Sequence, residues 1–458
     1  MRLRASIRVR MAWLTKSRFM AGRQCTKRLW FEVNAPLEAR APESMAMRQG
    51  HAFDAFVRGL WPGRVIARER GMPAAIAETS RVLAAGGAPI LHQPAVRQGD
   101  FAVIADVLRR DRGRPELVEI KASTTVKPEH LPDAAFQVLV LRGARVPVER
   151  VSIGHVNNQF TLERSGAFEG LLVEEDITGQ VEGLLPTLGE QAVALQRVMS
   201  QRVMPAVAMG PHCTTPYDCP FIPRCSAGAP PRDFSQHKDA RVRAGTTFLD
   251  SAAAAALRDA PFPRSFLDFE TIAFAVPEIA GTRPYEQLPF QWSLHVEQED
   301  GEVTHAEFLA VEAFGDFGAL AHALLAAVPP EGPVYAYNAG FEGRALGLMA
   351  RLAPEHADAL HALAARLIDL LPITRRAYYD PRMQGSWSLK AVIPTVAPDL
   401  AYDTLGEVQE GEAAQLAFLE LREGRVDDRR RAALTRAMLD YCRQDTWALV
   451  LLARFLRG

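Results

Sequence analysis

What this sequence lacks narrows its reading first. It has no apolar run near the roughly 20 residues that a membrane-spanning helix needs. The opening stretch MRLRASIRVRMAW is rich in arginine but has no apolar core of the kind that marks a secretory signal. It is expected to be a short extension ahead of a start at Met11, a targeting segment being the other reading. Net charge is almost nil: 53 lysines and arginines against 54 acids leave −1. A chain so balanced is not the uniformly basic kind that coats nucleic acid, although a local basic groove remains compatible with it. Cysteine is scarce, five in 458 residues. Most of it is clustered, which points to metal binding in a reducing, cytoplasmic setting rather than to disulfides. No GxxxxGK[ST] loop occurs, which argues against an intrinsic ATPase or helicase. Internal repeats and low-complexity tracts are missing too.

What is present is ordinary in bulk and specific in detail. Hydrophobic content of 48% and charged content of 23% are those of a soluble globular chain, and the length calls for two or three domains. The pattern predicts helices at 44–60, 131–143 and 182–203, a β meander over 90–122 and a strand at 148–156. Residues 229–262 read as a linker carrying one Ala-rich helix at 251–258. Beyond it, strands at 265–269, 289–297, 303–310 and 334–337 alternate with helices at 314–328, 341–352, 355–370 and 427–456. Such alternation implies a layered α/β domain.

Two sets of acidic residues carry the chemistry. In the first half, Asp106 ends one β run, and Glu119 and Lys121 lie on the next. The two-residue period of a strand puts Glu119 and Lys121 on one face with Ile120 turned to the core. An Asp and a Glu beside a Lys would hold one or two Mg²⁺ or Mn²⁺ ions, and the Lys could orient or deprotonate an attacking water. Phosphodiester cleavage needs both functions. The basic stretch at 16–28 (Lys16, Arg18, Arg23, Lys27, Arg28) reads equally as a solvated helix face or as phosphate contact. In the second half, Asp268 and Glu270 share one strand face with Phe269 between them turned to the core. Glu342 closely follows another strand, and Tyr441 and Asp445 share one face of the last helix at i and i+4.

Between the two sets lie Cys213, Cys219 and Cys225, evenly spaced, with Cys25 far upstream as a fourth candidate ligand. Four thiolates suit a [4Fe–4S] cluster or zinc. C-x₅-C-x₅-C with a distant fourth ligand lacks the paired knuckles of most zinc sites, which favours iron–sulfur. The role would be structural, tying the N-terminal helix to the far end of its domain. His212 adjoins Cys213 and is read as a neighbour more than as a ligand, and Cys442 as a core thiol.

These motifs carry two resemblances. The D…ExK pair, a following helix with Gln137, the segment LTKSRFMAGRQCTKRLWFE and the one-plus-three cysteines resemble the RecB-like PD-(D/E)xK nucleases that carry an iron–sulfur cluster. The CRISPR-associated and AddB-type members are the nearest, over roughly residues 13–226. The chain departs from them in having Leu141 where the helix motif usually ends in Tyr. It also leaves His51 and Asp54 both open as the family's extra metal ligand. The D-x-E strand, the acid after a later strand and Y-x₃-D resemble the DnaQ-like DEDD 3′–5′ exonucleases of the ribonuclease H fold, with Glu342 where Asp is usual. Asp369-Leu370 and Ser386-Trp387-Ser388-Leu389-Lys390 look like the same branch. The implied architecture is a restriction-endonuclease-like domain (11–228), a linker (229–262) and a ribonuclease H-like domain (263–458). The implied site has four carboxylates binding two ions about 3.5–4 Å apart, with Tyr441 positioning water. The implied function is metal-dependent cleavage of DNA, as single strands or 3′ ends, in repair, recombination or defence, with a separate helicase as a possible partner. RNA processing and a non-catalytic nucleic-acid scaffold are the alternatives.

Overall fold

The structure is a computed structural model that describes residues 12–38, 43–86, 88–110, 113–227, 234–250, 252–400 and 405–458. Met11 therefore lies outside the described residues, as do Ser251 and the first part of the expected linker. The fold is mixed α/β in two compact units. One comprises Met1–Leu162, Gly166–Pro230 and Ala275–Pro277; the other comprises Glu163–Ser165, Pro231–Phe274 and Glu278–Gly458.

The first unit runs β1 (Leu14–Thr15), α1 (Lys16–Gln24), α2 (Thr26–Asn34), α3 (Met45–Leu60), β2 (Arg64–Val65), α4 (Met72–Ala84), β3 (Ile90–His92), β4 (Ala95–Gln98), β5 (Phe101–Ile104) and β6 (Val107–Arg109). It continues through β7 (Glu116–Lys121), α5 (His130–Gly143), β8 (Arg150–Val156), β9 (Leu172–Asp176), α6 (Thr178–Ser200) and α7 (Ile222–Ser226). The expected meander is split. Strands β1, β5 and β4 form one small sheet, whereas β6 and β7 sit inside a six-stranded sheet ordered β2-β3-β6-β7-β8-β9. Strand β7 is central, antiparallel to β6 and parallel to β8, so both its edges are paired, and its side chains are buried nearly to the end.

Helix α1 begins where the Thr15 side chain accepts from the Arg18 amide, the usual way to satisfy an orphan first-turn donor. It ends at Cys25, whose extended backbone (φ −161°, ψ 121°) both closes α1 and opens α2. That break puts Cys25 on a corner. Phe19 stacks on Phe136 of α5 at 4.4 Å. Gly22 lets α1 approach α6 so closely that a Cβ there would lie 2.8 Å from Leu195 Cδ2. These contacts root the N-terminal helix in the core of the unit.

The second unit runs α8 (Ala240–Ala244), β10 (Phe248–Leu249), α9 (Ala255–Arg258), β11 (Arg264–Ile272), β12 (Leu288–Glu297), β13 (Val303–Leu309), α10 (Phe317–Ala327), β14 (Val334–Ala336), α11 (Gly340–Leu352) and α12 (Ala357–Ala364). It closes with β15 (Leu367–Asp369), α13 (Leu370–Ala377), β16 (Tyr378–Tyr379), α14 (Leu389–Val396), α15 (Gly411–Arg422) and α16 (Asp428–Arg457). Its sheet is ordered β13-β12-β11-β14-β15, with β11 antiparallel to β12 and parallel to β14.

Two expectations need correcting. The helix expected over 355–370 stops at Ala364, and Leu367–Asp369 instead pairs in parallel with β14. An apolar run cannot by itself separate an edge strand from a helix end. The expected linker is part of the second unit: Val242, Ala254 and Leu257 are buried in its core, and β10 pairs with β16.

Candidate functional sites

The second-unit site is assembled by cross-strand register. Asp268 faces Ser293 and Glu270 faces Gln291 across β11 and β12, so these four side chains share one face of the sheet. The C-terminal helix α16 covers that face and is pinned to it by polar contacts. Gln291 Nε2 donates to the Met438 carbonyl at 2.9 Å. The Thr446 hydroxyl lies 2.8 Å from both Ser293 Oγ and His295 Nδ1. With α16 held in this register, Asp445 descends onto the two strand carboxylates. Asp268, Glu270 and Asp445 each offer an oxygen within 4.8 Å of the others. Among the described residues no other set of three or more acidic, histidine or cysteine ligands is so gathered.

Glu342, in the first turn of α11, was expected as the fourth member. It is buried, and its Oε2 has no hydrogen-bond partner. It is close enough to Asp268 to raise that carboxyl, yet it stands outside the 4.8 Å group. The convergence is therefore three close carboxylates from one strand and one helix, with a fourth beside them. Asp369 neighbours Glu342 electrostatically and is itself occupied, accepting from the Asn338 and Leu371 amides.

Like charges this close in a buried place cannot all ionise unaided. Burial first, and then Asp445, Glu270 and Glu342, push Asp268 well above the usual carboxylate range. Burial and Asp445 push Glu270 up to about 8, with Lys390 opposing. Burial lifts Glu342 to about 8 as well. The buried Tyr441 phenol is also raised, by burial and then by Asp445, Glu270 and Asp268, so it stays protonated at neutral pH and faces the carboxylates. Lys390 Nζ sits 5.2 Å from the Tyr441 ring centre. Cys442, read from the sequence as a core thiol, is fully buried, but its sulfur donates to Asp268 Oδ2 at 3.6 Å. Only the register of α16 on β11 brings it there.

The first-unit site is built differently. Asp106 Oδ2 accepts from the Ile120 amide at 2.9 Å, which ties the turn before β6 to the end of β7. Glu119 is fully buried. Its Oε1 accepts from Lys121 and from Lys16, both at 2.6 Å, and its Oε2 from Gln137 Nε2 at 2.8 Å. Lys121 also reaches Asp133 Oδ2 at 2.6 Å. The expected residues Asp106, Glu119, Lys121 and Gln137 are thus together. Lys16 and Asp133 join them without having been expected there.

Burial alone would raise Glu119, but Lys121 and Lys16 overcome it and hold the carboxyl below its usual range. Asp106, with no such direct cation, is raised to about 7 by burial and by Glu119. The two candidate extra ligands do not enter this hydrogen-bonded group. His51 is exposed and pairs with Glu43 at 3.1 Å, while Asp54 pairs with Arg58 and accepts from Gln93. Leu141, at the position where Tyr was the usual residue, is packed in the core. Several other members of the basic 16–28 stretch are also engaged: Arg18 with the Trp13 carbonyl, Arg23 with Gln191 and Arg28 with Glu32.

The four upstream cysteines line one cavity, together with His212, Phe31, Phe221 and Ile222. All are free thiols. The cavity joins the two ends of the unit: Gln24 Nε2 donates to the His212 and Tyr217 carbonyls, Phe31 stacks on Phe221 at 5.0 Å, and Arg224 donates to the Ala35 carbonyl. No three of the four sulfurs lie within 4.8 Å of one another. His212 Nε2 is 3.8 Å from Cys213 Sγ.

Residues 265–388, almost all of them in the second unit, match a family described as a domain of unknown function, DUF2779. No curated protein matches the chain. The matched stretch contains Asp268, Glu270 and Glu342, whereas Tyr441 and Asp445 lie beyond it.

The raised carboxyls imply a pH dependence. Groups that bind protons more tightly folded than unfolded destabilise the fold as pH rises between the two values, here from about 4.5 to about 8 for Glu270 and Glu342. A divalent cation replaces the lost protons. In a chain carrying Asp106→Asn, to silence the first site, Mn²⁺ should raise the melting temperature by several degrees at pH 8 and little at pH 5. Adding Asp268→Asn and Glu270→Gln should remove the response. An equal Mn²⁺ shift with and without those substitutions would refute the assignment.

Proposed function

We propose that the chain is a metal-dependent nuclease with two phosphodiester-cleaving sites, acting on DNA in repair, recombination or defence. The observation that carries the reading is the convergence of Asp268, Glu270 and Asp445 within 4.8 Å, with Glu342 and a protonated Tyr441 beside them. Cleaving a phosphodiester requires neutralising charge on the phosphate and generating hydroxide from water; paired divalent ions on such carboxylates do both. Asp268, Glu270, Asp445 and Glu342 would hold Mg²⁺ or Mn²⁺, and Tyr441 would orient water. This set supports a DEDD-type 3′-end exonuclease on a ribonuclease H-like unit.

In the first unit, Asp106 and Glu119 would hold the metal. Gln137 donates to Glu119 and fixes its carboxylate, and Lys121 stands ready to orient water. The arrangement supports a RecB-like PD-(D/E)xK nuclease acting on single strands. The shared cysteine cavity supports a structural cluster there. Cys25, Cys213, Cys219 and Cys225 share that cavity, and their C-x₅-C-x₅-C spacing with a distant fourth ligand, lacking the paired knuckles of most zinc sites, favours a [4Fe–4S] group over zinc. No helix among the described residues is long and apolar enough to cross a membrane; that and the free thiols fit a cytoplasmic setting.

Purified protein should degrade single-stranded DNA in Mn²⁺. Asp106→Asn and Asp268→Asn should each remove one component of the cleavage pattern, and the double variant should remove both. Parallel RNA substrates separate DNA from RNA as target. Full activity in the double variant would refute the reading, and DNA binding without cleavage by the parent would make the chain a scaffold.

Anaerobically prepared protein should be brown, with broad absorption near about 400 nm, and Cys25→Ala should bleach it. A colourless parent that contains zinc would refute the cluster.

A further inference from the structure

The first site contains a lysine that the expected chemistry does not use. Lys16 is the first residue of α1, more than 100 positions upstream of the Glu119 it touches. Its ammonium lies 2.6 Å from Glu119 Oε1 and 3.9 Å from Asp133 Oδ2. Lys121 contacts the same two carboxylates, both at 2.6 Å. Two ammonium groups thus share one carboxylate oxygen, although a single lysine would satisfy the motif. The side chain is held there by its helix: Thr15 caps α1, and Phe19 stacks on Phe136, the residue next to Gln137. The placement belongs to the core packing and is not an accident of a mobile surface residue.

Charge counting says what the second lysine does. Fully ionised, Asp106, Glu119 and Asp133 against Lys16 and Lys121 leave one negative charge. One divalent ion turns this into one positive charge, which a single phosphodiester cancels. A second ion would leave two uncancelled positive charges in a buried place, which is costly. The second unit counts differently. Asp268, Glu270, Glu342 and Asp445 have Lys390 as the cation acting on Glu270, so two ions are needed to reach the same single positive remainder. We propose that Lys16 makes the first site a one-ion centre, its ammonium standing where the second unit uses a second metal.

This rests on the nuclease reading of the first unit and deepens it. During hydrolysis the water oxygen bonds to phosphorus as the bond to the leaving oxygen breaks. One water proton passes to a base, the leaving oxygen gains one, and a phosphomonoester and an alcohol result. Lys16 contributes positive charge while negative charge builds on these oxygens, and no proton needs to leave it. Such a fixed charge acts mainly in the transition state, so its loss falls on kcat more than on KM.

The test uses the full-length chain with Asp268→Asn and Asp445→Asn, so that bound ions and cleavage report the first site alone. Equilibrium dialysis with Mn²⁺ should find one ion per chain, and adding Asp106→Asn should remove it. On the same background Lys16→Met should lower kcat on single-stranded DNA by about 100-fold or more, with KM little changed and the melting temperature retained. Lys16→Arg should recover most of the rate. Two Mn²⁺ ions per chain with Lys16 in place, or an undiminished kcat in Lys16→Met, would overturn the proposal. A background chain that neither binds Mn²⁺ nor cleaves DNA would overturn the nuclease reading of the first unit, and the proposal with it.

Discussion

The second unit is organised around an unfavourable contact: three buried carboxylates with oxygens within 4.8 Å of one another. Repulsion and desolvation both oppose it, so it persists only because the surrounding structure enforces it. Strand β11 contributes two of the three by strict alternation. Helix α16 contributes the third and is fastened over the sheet by Gln291, Ser293, His295 and Thr446. The buried, unpartnered Glu342 oxygen is a further cost of the same arrangement. Lys390 offsets part of this at Glu270, and the remaining cost is what the proposed divalent cations would relieve.

The first unit meets the same problem with its own cations. Glu119 is as buried as any of the second-unit acids, yet two lysines donate to its Oε1 and a glutamine to its Oε2. Asp106 stands apart with one backbone donor. One buried acid is held ionised and the other is raised to about 7. Asymmetry of this sort suits a site in which protein ammonium groups and metal divide the work. The cysteine cavity and the α1 packing serve it indirectly, since α1 ends at Cys25 and begins at Lys16.

Much of both sites was legible because local periodicity governs it. The two-residue repeat of a strand put Asp268 with Glu270, and Glu119 with Lys121; the helical repeat put Tyr441 with Asp445. Gln137 was reachable through resemblance. Lys16, Asp133 and Cys442 were not legible, because their positions depend on how α1, α5 and α16 seat against distant strands. Composition misled at 229–262, where short polar and Ala-rich pieces looked like a tether but supply Val242, Ala254 and Leu257 to the core. Strand β15 was hidden for a related reason: its neighbour β14 is thirty residues away in sequence, and three apolar-flanked residues look like a helix end.

The most direct test of the central claim, that these buried acids are metal ligands, is anomalous diffraction from crystals grown with Mn²⁺. The account expects manganese peaks bounded by Asp268, Glu270 and Asp445 in the second unit, with a further peak at Asp106 and Glu119 in the first. Crystals in saturating Mn²⁺ with no anomalous density at Asp268, Glu270 and Asp445 would contradict it.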